Sequence, residues 1–138
     1  MDMDFSSIRL PKGVQMRKPY PSEVKYFKDN PKVAGMATED GRVILNPFTG
    51  LSLKEYQAVA TNESARLLIK KEDKLKPDFK LTDYQTQFLD FSTYRYASEE
   101  DRKATIAARI LSGDPSAGVP TPEQLIYVET LKQRLQDE

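Results

Sequence analysis

The sequence predicts an α+β fold, mainly helical, with one β-hairpin packed on a long helix plus three further helices. Three observations carry that expectation. The dipeptide Asp40-Gly41 is flanked on both sides by strand-forming residues. Ser52 with Glu55 forms a capping box at the head of the longest helical periodicity. Three later segments each open on a helix-start signal and carry an apolar stripe at helical spacing.

Residues 1–21 read as a flexible N-terminal arm. Phe5, Ile8, Leu10 and Val14 follow no period, and Pro11, Pro19 and Pro21 interrupt any helix. Arg9, Lys12, Arg17 and Lys18 make the arm mildly basic, so it is either a frayed tail or a segment that folds onto a partner. Residues 22–138 read as a single domain, in a helix-hairpin-helix half (22–71) and a three-helix half (82–138). Ser22 caps a short helix that ends before Pro31 and carries Val24, Tyr26 and Phe27. Residues 33–38 and 42–46 form the hairpin, with Gly41 supplying the positive φ of its turn. Two strands alone are marginal, so the hairpin must lie on a helix.

That helix runs for about five turns from Ser52 to Lys71. Leu53, Tyr56, Ala60, Glu63 and Leu67 share one stripe, and Val59, Asn62, Arg66 and Ile69 the next. Asn62, Glu63 and Arg66 therefore lie close to the apolar face. Lys70 to Lys80, charged and holding Pro77, reads as a solvated linker. Thr82 with Gln85, Ser98 before Glu99-Glu100-Asp101, and Thr121-Pro122-Glu123-Gln124 mark the last three helix starts. Their expected faces are Tyr84, Phe88 and Phe91, then Ile106, Ile110 and Leu111, then Leu125, Val128, Leu131 and Leu135. Gly113 and Pro115 stop the second of them.

Composition excludes whole classes of chemistry. The chain of 138 residues holds neither cysteine nor histidine. Thiolate nucleophiles, disulfides, the Ser-His-Asp triad and the usual zinc sites go with them. No metal ligand set and no cofactor is expected. Lys plus Arg balances Asp plus Glu, 21 against 21, so no net field draws the chain to nucleic acid or an anionic membrane. No apolar run approaches the roughly 20 residues of a membrane span. The start of the chain lacks the pattern of a signal peptide, so the expected place is the cytoplasm, of an infected cell or a virion if the setting is a phage. A protein partner or self-association is the expected contact.

The strand at 42–46, the capped helix and Asn62-Glu63-Ser64-Ala65-Arg66 together resemble the core of small zincin metalloproteases. In those, an edge strand precedes a helix bearing His-Glu-x-x-His. Asn62 stands at the first ligand position and Arg66 at the second, so only Glu63 matches. A guanidinium is always protonated and repels a metal cation, which excludes hydrolysis by that route. Three roles remain for these residues. Glu63 and Arg66 form a helical ion pair, with Asn62 bonded to loop or hairpin. Alternatively, Asn62, Glu63 and Arg66 line a pocket for a polar ligand. In the third, Glu63 is a general acid partnered by Asp40 or Glu39, as glycoside hydrolysis would need.

Other clusters point less far. Ser98-Glu99-Glu100-Asp101 reads as a helix start that complements the macrodipole, and with Asp90 it fits no calcium loop. Residues 113–118 lack the ending of a phosphate cradle. Tyr94, Arg95 and Tyr96 offer a stacking site for single strands, although packing suits a neutral chain better. Arg102 and Arg109 are expected to pair with acids of their own helix.

Four phrases, Val33-Ala34-Gly35-Met36-Ala37, Arg42 to Pro47, Asn62 to Arg66 and Ile106 to Pro115, resemble a family of small uncharacterised tailed-phage and prophage proteins over residues 22–135. The resemblance implies a phage setting and transfers no site residues. The function expected is thus a non-enzymatic structural or interaction protein, a virion component or assembly factor. The alternatives are a carboxylate-based hydrolase of cell-wall glycan and an inactive metallopeptidase-like binding module.

Overall fold

The computed structural model describes residues 4–137. The elements run β1 (Gln15–Met16), α1 (Pro21–Asp29), β2 (Gly35–Ala37), β3 (Arg42–Leu45), α2 (Leu53–Lys71), α3 (Asp83–Asp90), α4 (Glu99–Leu111) and α5 (Pro122–Leu135). The fold is α+β and mainly helical, with five helices and one small sheet among the described residues.

The hairpin forms where the turn chemistry places it. Gly41 takes φ +76°, and the Thr38 N–H donates to the Arg42 carbonyl at 2.8 Å. Its two strands lie on α2. Their closest approach needs a missing side chain, since a Cβ on Gly35 would stand 2.8 Å from Val59 Cγ1. Val43 and Leu45 face the main core with Tyr56, Ala60 and Leu68. Ile44 on the opposite face is also fully buried, and Asn46 ties that side down by donating to the Val33 carbonyl at 2.7 Å. The Tyr56 hydroxyl donates to the Asn46 carbonyl, so the long helix grips the strand through a polar contact as well.

The capping box of α2 is complete: Ser52 Oγ accepts the Glu55 N–H, and the Glu55 carboxylate accepts the Ser52 N–H at 3.1 Å. α1 begins two residues earlier than expected: Tyr20, not Ser22, is the cap, with Pro21 in the first turn and the Glu23 carboxylate accepting the Tyr20 N–H at 2.7 Å. Proline's fixed φ suits that position.

Four segments differ from the sequence reading. Residues 4–21 of the arm lie on the domain. Residues 1–3 of that arm, and Glu138 at the other end of the expected domain, fall outside the described residues. Gln15–Met16 pairs in parallel with β3, giving the order β1-β3-β2. Phe5 meets the Tyr56 ring edge-on at 4.8 Å, and the Lys12 N–H donates to the Asp137 carbonyl. A two-residue strand has no periodicity to detect, which is why it reads as tail.

The stretch Lys70 to Lys80 is not a solvated linker. Leu75 and Phe79 are buried, the first in a 3-10 turn at Asp73–Leu75 whose carbonyl accepts the Tyr127 hydroxyl at 2.6 Å. Two apolar anchors four apart were masked by lysines. The expected faces of α3 and α5 also shift. α3 buries Gln85 and Leu89, leaving Tyr84 and Phe91 exposed, and α5 buries Gln124, Tyr127, Val128 and Leu131 while Leu125 is exposed. In both helices a capping glutamine takes the inward position and its apolar neighbour is turned outward.

Candidate functional site

A cleft of about 1100 Å³ opens between the hairpin, the second half of α2 and the start of α4. Met36 to Arg42 form one wall, Glu63, Arg66 and Leu67 the floor, and Tyr94, Ala97, Glu100 and Asp101 the far side. α2 carries Glu63 and Arg66 three residues apart, so both project to the same side of the helix.

The upper wall is a free strand edge. Among the described residues, β2 has β3 on one side and no strand on the other. The Thr38 N–H donates to the Arg42 carbonyl and the Asn46 N–H to the Ala34 carbonyl, while Met36 stands opposite Ile44. Antiparallel ladders alternate, so Gly35 and Ala37 turn their N–H and C=O groups away from β3. On the other side of β3 the same alternation sends the Val43 carbonyl to the Arg17 N–H of the β1 segment. The outward groups of Ala37 open into the cleft.

Glu63 lies half-buried beneath this edge. Burial pushes its carboxyl above the usual carboxylate range, and the positive charge of Arg66 and the Ala37 N–H that faces it pull partly the other way. The expected Glu63–Arg66 helical pair is not formed: among the described residues no ion pair joins the two. Instead the Arg66 guanidinium donates to the Tyr94 hydroxyl at 3.2 Å and lies 5.4 Å from the centre of its ring. Asn62, on the same helix, is half-buried but does not line the cleft. The structure brings together Glu63 and Arg66 and leaves Asn62 aside.

The two carboxylates expected as partners of Glu63 have other surroundings. Both lie at the hairpin tip and line the cleft wall. Asp40 is engaged by the Thr38 hydroxyl and by Arg17, whose Nε lies 3.2 Å from Oδ2. Those contacts, the hydroxyl first, hold its carboxyl below the usual range. Arg17 is itself clamped to Glu23 at 2.7 Å, so the arm, α1 and the hairpin tip share one guanidinium. Glu39 is exposed.

The remaining candidates separate. Asp90 pairs with Arg102 at 2.9 Å and stands apart from any acidic cluster, and no group of three potential metal ligands occurs among the described residues. Ser98 caps α4 by accepting the Asp101 N–H, as the helix-start reading expects. Arg102 and Arg109 pair with Asp90 and Asp114, not with acids of their own helix. Tyr94 faces the cleft, whereas Tyr96 is almost fully exposed with Arg95 over its ring.

Sequence reasoning placed Arg102 in a pair within its own helix and missed that it builds the far wall. Arg102, buried on α4, donates to the carbonyls of Tyr94, Arg95 and Thr86 as well as to Asp90. It pins residues 91–97 to α3 and thereby sets Tyr94 over Arg66. The available signal was a lone arginine one turn before Thr105 and Ile106, on the buried stripe. No family model, no curated protein and no solved structure matches the chain. No helix among the described residues is long and apolar enough to cross a membrane.

Proposed function

We propose that this chain is a non-enzymatic interaction protein, a virion component or assembly factor in a phage or prophage setting. It takes an extended segment of a partner protein along the free edge of β2. The observation that carries this reading is the pair of outward-turned residues, Gly35 and Ala37, at the rim of a cleft of about 1100 Å³. Main-chain pairing would supply the affinity and the cleft floor the selectivity. An inactive metallopeptidase-like module would use the same groove. The phrase-level resemblance to phage proteins supplies the setting.

Capture from native host material tests it, with wild type and Ala37→Pro as baits. The Ala37 N–H takes no part in the β2–β3 ladder, so proline there removes an edge donor and obstructs pairing while sparing the hairpin. The expected result is a partner retained by wild type and by the remote Lys132→Ala control, and lost with Ala37→Pro. A partner held equally by all three would overturn the edge as the docking site.

One observation favours a second reading, a carboxylate-based hydrolase. Glu63 and Asp40 line one cleft with their acidities pushed in opposite directions, the pattern of an acid with an ionised companion. Against it, both Asp40 oxygens are already engaged by Thr38 and Arg17. Release of fragments from purified cell wall by pure protein, abolished in Glu63→Gln, would establish this reading over the first.

A further inference from the structure

We propose that Glu63 makes the β2 edge selective for a segment carrying a lysine or arginine opposite Ala37. The inference rests on the docking reading above and adds the chemistry of the partner.

Gly35 and Ala37 stand opposite Leu45 and Val43, whose side chains face the core over α2. Side chains of directly opposite residues share a face of the sheet. A strand docked on β2 therefore points the residue opposite Ala37 down toward α2, where Glu63 lies. That carboxylate stands in front of the Ala37 N–H. An incoming strand needs this N–H for one of its own carbonyls, so Glu63 must be drawn aside. A cation on the incoming strand can do so, because it offers the carboxylate a stronger partner than one amide.

Arg42, Arg66, Lys70 and Lys71 line the same cleft, but among the described residues none of them forms an ion pair with Glu63. Arg66 is turned to Tyr94. Arg42 alternates with Val43 and so projects from the face of β3 away from α2. Lys70 and Lys71 lie about two turns further along the helix. Glu39, Glu100 and Asp101 line the same cleft, and none of them forms an ion pair among the described residues. A docked segment with an apolar or acidic residue at this position would shut a carboxylate away from water with no ion-pair partner and only the more distant charge of Arg66, which is costly. Glu63 thus keeps the edge closed to strands in general, as inward-placed charges do at other sheet edges.

The test uses capped heptapeptides of sequence Thr-Val-Thr-X-Thr-Val-Thr, with X lysine, norleucine or glutamate, titrated into the full ¹⁵N-labelled chain. The expected result is movement of the Gly35 and Ala37 amide signals, with lysine preferred over norleucine by about ten-fold, the range of a half-buried charge pair. In Glu63→Gln, which keeps an oxygen for the Ala37 N–H, the two peptides should bind within about two-fold of each other. Equal binding of lysine and norleucine peptides to wild type, or a lysine preference that survives Glu63→Gln, overturns the selectivity and leaves the docking reading standing. If no peptide moves the Gly35 and Ala37 signals, the docking reading falls with it.

Discussion

Two buried polar regions of this molecule are built on opposite terms. Where α3 meets α5, Gln85 and Gln124 exchange amide hydrogen bonds at 3.0 and 2.8 Å. Each oxygen also accepts the N–H of its own capping threonine, Thr82 or Thr121. Each nitrogen spends its second proton on a carbonyl, Ala117 for Gln85 and Lys80 for Gln124. Two capping boxes are thereby fused back to back, and both amides are fully exposed to protein and not to water. In the cleft, Glu63 has one backbone N–H before it and no ion pair. A network with every donor and acceptor used fixes structure and has nothing left to offer a ligand. A carboxylate held short of partners costs stability and keeps its capacity for binding. The difference is what singles out the cleft, and not the glutamine junction, as the candidate functional surface.

The largest effect should come from breaking the closed network. Gln85→Leu removes two donors and two acceptances and strands the Gln124 amide and the Ala117 carbonyl in the interior. It should cost about 3 kcal/mol, measured by urea unfolding. Gln124→Leu should cost a similar amount. The double variant should cost clearly less than the sum, since each single change already leaves the other amide stranded. Additive losses would show that the two glutamines act as separate caps and that the contrast with the cleft is one of burial alone.

This junction also marks how far the sequence could be read. Thr82 with Gln85 and Thr121 with Gln124 were legible as caps, because a capping box is local and its spacing is fixed by the helix. Their meeting was not, since it depends on how the fold brings the N-terminal ends of α3 and α5 together. That one missed contact explains the misplaced faces: with Gln85 and Gln124 inward, Tyr84 and Leu125, each one position away, are carried outward. The hairpin, the capped α2 and the small alanines of α4 were legible for the same local reason. β1 was not, because two residues pair only by virtue of a strand nearly thirty positions downstream. At the site, helical spacing placed Glu63 and Arg66 side by side. It did not place Tyr94, which draws Arg66 away, or Arg102, which sets Tyr94 through three carbonyls.

The smallest effect, and the one that sharpens the contrast most, is the pH dependence of Glu63→Gln. Burial raises the Glu63 pKa above its ordinary 4.5 in the folded chain. The native state therefore holds the proton more tightly than the unfolded one, and stability contributed by this group falls as pH rises through the folded value. Above that value the native chain carries a partly desolvated charge, which glutamine does not. Glu63→Gln should accordingly be more stable than wild type at neutral pH, by at most about 1 kcal/mol. The gain should shrink as pH falls through the folded value and vanish only below 4.5, where Glu63 is protonated in both states. Glu72 titrates with the opposite sign. Arg134, donating to it at 2.8 to 3.1 Å, holds its carboxyl low, so its contribution is intact above 4.5 and is lost only as pH falls through the lower, folded value. The two windows lie on either side of 4.5, and unfolding curves of wild type and Glu63→Gln across that boundary separate them. A variant no more stable than wild type at pH 7 would mean that Glu63 is already compensated, and the cleft would then be as closed a network as the glutamine junction.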